Sequence, residues 1–334
     1  MPQSRVTIRD VATLAGVSHQ TVSRVLNGSE HVLPETRERV MAAIARLGYR
    51  PNAIARSLAA GESRLLGCIA QNLTDYTFAC IIEGAEQYAR GYGYYLLSAS
   101  AEDETSFKQL IEQLVRSGRV DGLIVTQPYL DQRYRYLPTE VPVVLVGSRA
   151  REGDFCSVMV DNGAGARLAV EHLLSLGHRL IATIAGPEVE DCVLERTQSY
   201  WQTLRQAGVE LDERYLARGD WSASSGYEAT RAWFEQGLPF TAIFAQNDRM
   251  AIGALRALRE HGLKVPEQVS VIGFDDIPLA AYFDPPLTTI QQNMHALGQE
   301  AARLLLLARQ GEQVCSHHIL VPPRLVVRHS TQAL

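Results

Sequence analysis

Residues 11–28 carry a helix-turn-helix pattern that constrains this 334-residue chain more than any other part of its sequence. Gly16 can supply the positive φ that a tight turn between two helices needs, and Ser18 is placed to cap the second helix. Apolar residues recur at the spacing of one helical face on both sides of the turn: Val11, Ala12, Ala15, Val22 and Leu26. The pattern predicts two short helices that pack against each other.

The second helix carries hydrogen-bonding side chains on its other face: His19, Gln20, Thr21, Ser23, Arg24 and Asn27. Gln20 can bond adenine and Arg24 can bond guanine in bidentate fashion, and each such pair discriminates against the wrong base by about 1–3 kcal/mol. The ring of His19 can also bond a base edge, whereas the three shorter side chains suit contacts to phosphate. This face predicts a helix that enters the major groove of double-stranded DNA; the plainer alternative is a solvated amphipathic helix pair.

Further motifs extend the pattern beyond residue 28: Thr7-Ile8-Arg9-Asp10, Thr36-Arg37, Gly48-Tyr49-Arg50-Pro51-Asn52 and Ala55-Arg56-Ser57-Leu58. With residues 11–28, they resemble the headpiece and hinge of the LacI/GalR family of bacterial transcription regulators. The resemblance implies a third helix over residues 34–47. It also implies a hinge helix over residues 52–60 in the DNA minor groove, where Asn52, Ala55 and Leu58 contact DNA. Leu58 stands where the family inserts a leucine between base steps, which kinks the duplex; the alternative is that Leu58 packs against the headpiece.

Charge is divided unevenly along the chain, which carries −5 overall. Residues 1–64 contain nine Arg against five Asp or Glu, so this segment carries +4 and the remainder carries −9. A small basic module on an acidic body is the charge distribution expected of a protein that binds DNA through one domain.

The cysteines are scattered and predict neither a disulfide framework nor a metal site: Cys68, Cys80, Cys156, Cys192 and Cys315. The sequence opens with no secretion signal, and no apolar run is long enough to span a membrane. These features favour a cytoplasmic protein that has no membrane partner.

From residue 65 onward, short apolar runs alternate with helical patterns, which is typical of parallel sheets with helices on both faces. The first predicted strands cover residues 65–70, 94–98, 122–126 and 143–146. A second series begins near Val158 and continues with residues 180–185, 241–245 and 269–273, separated by helices over 164–176, 195–207, 224–236 and 250–260. The body is therefore expected to form two doubly wound lobes.

The family resemblance continues through this body, in Asp161-Asn162, Gly177-His178-Arg179, Asn247-Asp248-Arg249-Met250 and Phe274-Asp275-Asp276. It implies an all-α helix-turn-helix headpiece followed by an α/β effector domain with the two lobes of the periplasmic-binding-protein fold. The expected domains are the headpiece over 1–50, the hinge helix and linker over 51–63, the first lobe over 64–161 and 292–322, and the second lobe over 162–291 and 323–330.

Polar residues follow several predicted strands, and ligands of open parallel sheets bind at these carboxyl ends. Many hydrogen-bonding groups and few cations suit a neutral polyhydroxylated ligand. The resemblance implies an effector site between the lobes: Gln71, Thr126, Arg196, Trp221, Asn247, Asp275 and Gln292. Trp221 would stack on the apolar face of a sugar, and Arg196, Asn247 and Asp275 would bond its hydroxyls. The alternatives are a core-packing role for Trp221 and a structural ion pair for Arg196.

Asp248 and Asp276, which follow predicted strands, are expected to cap the helices after them. Four positions depart from the residue types that a sugar-binding member of the family has there: Gln71, Thr126, Gly147 and Met294. The identity of the sugar therefore stays open.

The leading interpretation is a repressor of sugar-utilisation genes that a carbohydrate effector releases from its operator. A homodimer is expected, with the first-lobe helices over 77–90 and 107–115 at its interface, and two headpieces on one two-fold axis require a pseudo-palindromic operator. The alternatives are a corepressor-dependent regulator that binds a purine or another small ligand, a sugar-processing enzyme and a solute-binding protein. The sequence has no glycine-rich phosphate loop, nucleophile elbow or metal-spaced His cluster, so we expect neither enzymatic activity nor a cofactor or metal.

Overall fold

A computed structural model describes residues 6–26, 28–29, 31–49, 62–151, 155–312 and 318–334. The chain divides into two compact units, residues 1–63 and residues 64–334. Asn27, Asn52, Ala55 and Leu58, together with the predicted hinge helix over 52–60, lie outside the described residues. Within the described ranges, no helix is both long and apolar enough to cross a bilayer.

The described residues of the first unit form three helices, α1 (Ile8–Ala15), α2 (His19–Leu26) and α3 (Pro34–Leu47). Gly16 ends α1 with a φ of 66°, and the hydroxyl of Ser18 accepts a hydrogen bond from the Thr21 amide at 3.1 Å. The predicted turn, the predicted cap and the predicted third helix are therefore confirmed.

The core of the first unit joins all three helices through Val11, Val22 and Val40, which are fully buried. The buried stripe of α2 differs from the prediction at one position, because Val25 is buried and Leu26 is only partly covered. Val22 and Val25 are three residues apart and therefore face the same side of the helix.

The second unit contains two six-stranded sheets, and each defines one lobe. The strands of the first sheet are β1 (Leu65–Ala70), β2 (Tyr95–Ser100), β3 (Gly122–Thr126), β4 (Val143–Val146), β5 (Cys156–Val160) and β11 (His318–Val321). They lie in the order β11-β5-β4-β3-β1-β2, and all neighbouring strands in this sheet are parallel. Its helices are α4 (Tyr76–Gly91), α5 (Glu104–Ile111), which continues as a π-helical turn over Glu112–Arg116, and α10 (Met294–Arg309). We call this half the first lobe.

The strands of the second sheet are β6 (Ile181–Ala185), β7 (Leu216–Arg218), β8 (Ala242–Ala245), β9 (Ser270–Asp275), β10 (Thr288–Gln291) and β12 (Arg324–Val326). They lie in the order β12-β10-β9-β8-β6-β7, and the sheet is parallel except for the edge strand β12. Its helices are α6 (Asn162–Ser175), α7 (Asp191–Gln206), α8 (Ala223–Glu235) and α9 (Asp248–Glu260). Short 3₁₀ turns occur at Arg133–Tyr136 in the first lobe and at Glu213–Tyr215 and Pro278–Tyr282 in this second lobe.

The chain passes between the lobes three times, after β5, after β10 and after β11. The predicted second series of strands began near Val158, but this residue lies in β5, which pairs with β4 in the first sheet. The alternation of strands and helices otherwise appears as predicted, and the two-lobed α/β architecture is confirmed.

Glycines allow one pair of helices in each lobe to pack with their backbones in contact. A Cβ on Gly298 of α10 would stand 1.9 Å from the carbonyl oxygen of Ile81 in α4, and a Cβ on Gly253 of α9 would stand 1.9 Å from that of Ala223 in α8. Both distances are far shorter than a van der Waals contact, and the opposing atoms belong to backbone that cannot rotate away. These contacts fix how each helix layer covers its sheet.

We predict that Gly253→Ala lowers the free energy of unfolding by about 1–3 kcal/mol, because the added methyl group must push α9 away from α8. Gly91→Ala is the matched control, since nothing lies within 4 Å of a Cβ at Gly91. Urea denaturation followed by circular dichroism measures both variants. Equal stability of Gly253→Ala and the unchanged chain would contradict the tight packing of α8 on α9.

Candidate functional site

A cavity of about 500 Å³ lies between the lobes of the second unit, at the carboxyl ends of strands from both sheets. Six of the seven side chains predicted for the effector site line it: Gln71, Arg196, Trp221, Asn247, Asp275 and Gln292. The fold therefore brings together residues that are more than 200 positions apart in the sequence.

Arg196 of α7 lies at the base of this cavity and is only 4 % exposed. Its guanidinium donates to the side-chain oxygen of Asn162 at 3.0 Å, to the backbone oxygen of Gln246 at 2.6 Å and to the side-chain oxygen of Gln292 at 3.3 Å. The guanidinium carbon also lies 3.6 Å from the ring centre of Phe274, which is a close cation–π contact. Arg196 is thus held by neutral groups in a fixed orientation, with one face on an aromatic ring.

Asp275 ends β9 with a φ of 115°, a conformation that non-glycine residues rarely adopt. Its carboxylate accepts a hydrogen bond from the amide of Gln292. Burial raises the pKa of Asp275 to about 7, although the nearby charge of Arg196 acts in the opposite direction. The residue can therefore serve as a hydrogen-bond acceptor and, in its neutral form, also as a donor.

Trp221 lies directly before the cap of α8 and has a φ of 70°. Its indole nitrogen donates to a carboxylate oxygen of Glu190 at 2.8 Å, and its ring lies against Gly186. A Cβ at Gly186 would stand 2.3 Å from that ring, so the position of the indole depends on the glycine. The ring is partly exposed and lines the cavity.

Asn247 lines the cavity, but both ends of its side chain are already engaged. Its oxygen accepts from the Met250 amide at 2.8 Å and caps α9, and its nitrogen donates to the backbone oxygen of Trp221 at 3.0 Å. The prediction that Asp248 caps this helix is therefore wrong by one residue. Asp248 is instead fully buried and accepts hydrogen bonds from the hydroxyl of Thr289 and the amide of Ile277.

The predicted capping role of Asp276 is also wrong. Asp276 forms an ion pair with Arg328 at 2.6 Å and accepts from the amide of Gln291, also at 2.6 Å. The 3₁₀ turn that follows has Ile277 as its first flanking residue and has no side-chain cap. Asp276 therefore fastens the segment after β12 to the end of β9.

Thr126 is the one predicted effector residue that does not line the cavity. It is the last residue of β3 and is 3 % exposed, and its hydroxyl has no hydrogen-bond partner among the described residues. The next residue, Gln127, has a φ of 45° and lines the cavity in its place. Thr126 is therefore the last residue inside the sheet, and the chain reaches the cavity one residue later.

Glu190 is a lining residue that the sequence analysis missed. It follows a loop after β6, and one of its oxygens accepts from Trp221 while the other accepts from the Gln127 amide of the first lobe at 2.9 Å. No motif or strand end marks it in the sequence. Its partner Gln127 is marked in the sequence only as a polar residue after the end of a predicted strand.

Ion pairs also connect the two lobes beside the cavity. Arg249 of α9 pairs with Asp75, the cap of α4, at 2.7 Å. Arg149 pairs with Glu195 at 3.4 Å, and Arg151 pairs with Asp191 at the start of α7. The cavity is therefore bounded by polar contacts between the lobes that lie outside the apolar core of either lobe.

The first unit presents a separate candidate surface on α2. Side chains of His19, Gln20 and Arg24 are exposed there, whereas Thr21 and Ser23 are half-buried. The hydroxyl of Thr21 lies 3.0 Å from that of Ser18, so this residue also takes part in the cap. The three exposed side chains retain donors and acceptors that can reach a nucleic acid.

Comparisons with known proteins match the unit that carries α2 and the unit that contains the cavity to two known domain families. Residues 7–52 match the family described as "Bacterial regulatory proteins, lacI family", and residues 170–331 match a "Periplasmic binding protein-like domain". The transcriptional repressor CytR of Escherichia coli (strain K12) is 37 % identical over 99 % of this chain and 98 % of its own length. The repressor PurR of Erwinia tasmaniensis is 38 % identical over 97 % of this chain and 96 % of its own length.

Solved structures of similar proteins share the whole fold. A lac repressor dimer bound to operator and the anti-inducer ONPF has a TM-score of 0.89 and 36 % identity, and the match covers 99 % of this chain and 100 % of that one. A complex of the transcriptional regulator CelR with cellobiose has a TM-score of 0.76 and 34 % identity, over 98 % of this chain and 100 % of that one. These relatives are regulators and not enzymes, in agreement with the sequence analysis. The chain belongs to the lacI family of bacterial regulatory proteins and is a DNA-binding transcriptional repressor.

Proposed function

We propose that this repressor is released from a pseudo-palindromic operator when a carbohydrate binds between its lobes. The observation that carries the proposal is the grouping of Trp221, Arg196, Asp275 and Gln292 around one cavity. An indole ring offers a plane to the C–H face of a sugar, and a guanidinium, a carboxylate and an amide bond its hydroxyls. A repressor that must reach its operator also fits the cytoplasmic location expected from the sequence.

The two walls of the cavity differ in character, which supports a ligand with one apolar face. Apolar side chains of the first lobe line one part of it: Phe78, Ile81, Val146, Val160, Met294 and Leu297. The hydrogen-bonding groups named above come mainly from the second lobe. Cellobiose binding by the similar regulator CelR is consistent with a sugar in such a space.

A ligand that promotes DNA binding is the second candidate, because Trp221 and Phe78 can stack on a flat base as well as on a sugar. In that case, a purine or a similar molecule would act as corepressor. The discriminating experiment measures binding to an operator selected from random DNA, at fixed salt because affinity depends steeply on it. Release by a mono- or disaccharide supports the first proposal, and tighter binding with a purine supports the second.

Gln20 and Arg24 are proposed to read bases in the major groove, with His19 beside them. Arg24→Ala and Gln20→Ala should each weaken binding to the selected operator by about 1–3 kcal/mol, while binding to random DNA changes much less. Arg46→Ala is the control, because it removes one exposed positive charge from α3 and leaves α2 unchanged. If Arg24→Ala loses affinity equally on both DNAs, the base-reading role is wrong.

Trp221 is proposed to hold the effector. Trp221→Ala should abolish the response of operator binding to the releasing ligand, because the stacking surface is lost, and should leave binding to the operator unchanged. Trp201→Ala is the control, because Trp201 packs edge-on against Tyr200 and is not among the lining residues. Loss of the folded state in Trp221→Ala would show instead that the ring is a core residue.

We also propose a homodimer, since large apolar side chains are exposed on the second unit. Tyr282 is 85 % exposed on the 3₁₀ turn after β9, and Tyr95 and Leu97 are exposed on the edge strand β2. Uncovered aromatic and aliphatic groups of this size are typical of subunit interfaces. The similar lac repressor crystallises as a dimer on its operator.

Tyr282→Asp should shift the protein from dimer to monomer at micromolar concentration in sedimentation velocity, because a buried interface would have to accept a charge. Leu194→Asp is the control. Leu194 is also exposed, at 48 %, but it lies on α7, which packs in a different core cluster from the turn that carries Tyr282. A dimer of unchanged stability in Tyr282→Asp would place the interface elsewhere.

A further inference from the structure

Four acidic residues line the cavity, and Glu190 is the most buried of them. It is 7 % exposed, and among the described residues no Arg or Lys forms an ion pair with it. A buried carboxylate without a counter-charge is costly unless hydrogen-bond donors surround it. The protein supplies only part of that set.

Two neutral groups orient the Glu190 carboxylate. The Trp221 indole donates to one oxygen at 2.8 Å and the Gln127 amide donates to the other at 2.9 Å, with the weak thiol donor of Cys192 at 3.6 Å. A carboxylate has about four acceptor positions. The side chain is therefore held in place while it keeps acceptor capacity toward the cavity that it lines.

Gln127 serves Glu190 as a donor. Because a carboxylate only accepts, Gln127 must turn its NH₂ group toward Glu190, which leaves its own side-chain oxygen buried and without a partner among the described residues. The acceptor that lines the cavity at this point is therefore the Glu190 carboxylate.

The other carboxylates of the cavity already have partners. Asp75 pairs with Arg249, Asp275 faces Arg196 and accepts from Gln292, and Asp220 accepts from the backbone of Ser222. The lining residues include four carboxylates and only two guanidinium groups. The surplus of negative charge opposes an anionic ligand and favours a neutral or cationic one.

We propose that Glu190 selects effectors by an amino group, so that the ligand of this cavity is a neutral or cationic ring compound that carries an N–H₂ or N–H₃⁺ group beside its hydroxyls. An amino group presents at least two donors to the remaining acceptor positions of the Glu190 carboxylate, whereas a hydroxyl presents one. The inference rests on the proposed function, since it assumes that the cavity is the effector site. Phosphorylated sugars are excluded by the same charges.

The test uses matched probes that differ in this group alone or nearly so, with binding to the full chain measured by calorimetry. The pairs are glucosamine with glucose and adenosine with inosine, which separate an amino sugar from an amino group on a flat ring. In at least one pair, the amino compound should bind roughly tenfold or more tightly than its partner, because a hydrogen bond to a charged group is stronger than one to a neutral group. Glucose 6-phosphate should bind at least tenfold more weakly than glucosamine.

Glu190→Gln should reduce the preference for the amino compound by roughly tenfold, because the amide donates where the carboxylate accepts. Glu188→Gln is the matched control, since Glu188 is largely exposed, pairs with Arg218 and does not line the cavity. The preference of the unchanged chain is a separate measurement that does not depend on how well either variant folds.

The possible outcomes separate the selection by Glu190 from the proposed function of the cavity. Equal binding of both members in every pair overturns the selection by Glu190, while the proposal of a sugar-controlled repressor stands. Absence of binding by all amino compounds also overturns it, even if the same preparation binds its operator. An amino preference that survives Glu190→Gln assigns the selection to another residue and likewise contradicts the inference.

Discussion

The geometry of the cavity between the lobes depends on the hydrogen bonds that the buried guanidinium of Arg196 donates. It bonds Asn162, where the chain first enters the second lobe, and Gln292, where it leaves that lobe again. A third bond goes to the backbone at the end of β8. A charge removed from water requires donors and acceptors in fixed positions. One side chain therefore ties two of the three passages between the lobes to the cavity base, and any ligand that contacts Arg196 acts on the connection between the lobes.

Backbone conformation points to the same place. Among the described residues other than glycine, five have a positive φ: Arg64, Gln127, Trp221, Asp275 and Asp276. Three of them line the cavity and a fourth is the direct neighbour of Asp275. Such conformations cost about 1–3 kcal/mol each and persist where the surrounding contacts require them. The cavity is thus the region of the body where backbone strain is concentrated, and the folds of the two lobes supply the stability that offsets it.

The sequence predicted the repeating elements well because their signals are local. Helical spacing around Gly16 marked α1 and α2, the family resemblance gave α3, and apolar runs marked β1, β3 and β4. Apart from the assignment of Val158 to the second series of strands, the errors concern positions one residue apart or segments without a pattern. Polar neighbours such as Asn247 and Asp248 look alike in sequence, and only the exact end of β8 decides which one caps α9. In the same way, only the exact end of β3 decides that Gln127, and not Thr126, lines the cavity. Glu190 gave no signal, since its role arises from contacts with Trp221 and with the other lobe, and the three-residue strand β7 was too short for a pattern.

The contacts between the lobes are well suited to control by a small ligand. The ion pairs of Arg249 with Asp75 and of Arg149 with Glu195 involve arginines that are about half exposed, and exposed pairs of this kind contribute about 0–1 kcal/mol each. The lobe cores, in contrast, are built from large clusters of buried apolar side chains. A differential ligand affinity of about 1–3 kcal/mol is typical of allosteric coupling and exceeds any one of these contacts. Because Glu190 accepts from Trp221 within the second lobe and from Gln127 of the first lobe, a ligand that displaces the Gln127 donor also breaks a contact between the lobes. In the proposed function, ligand recognition and lobe arrangement therefore share a hydrogen bond, and no long chain of intervening residues is needed to connect them.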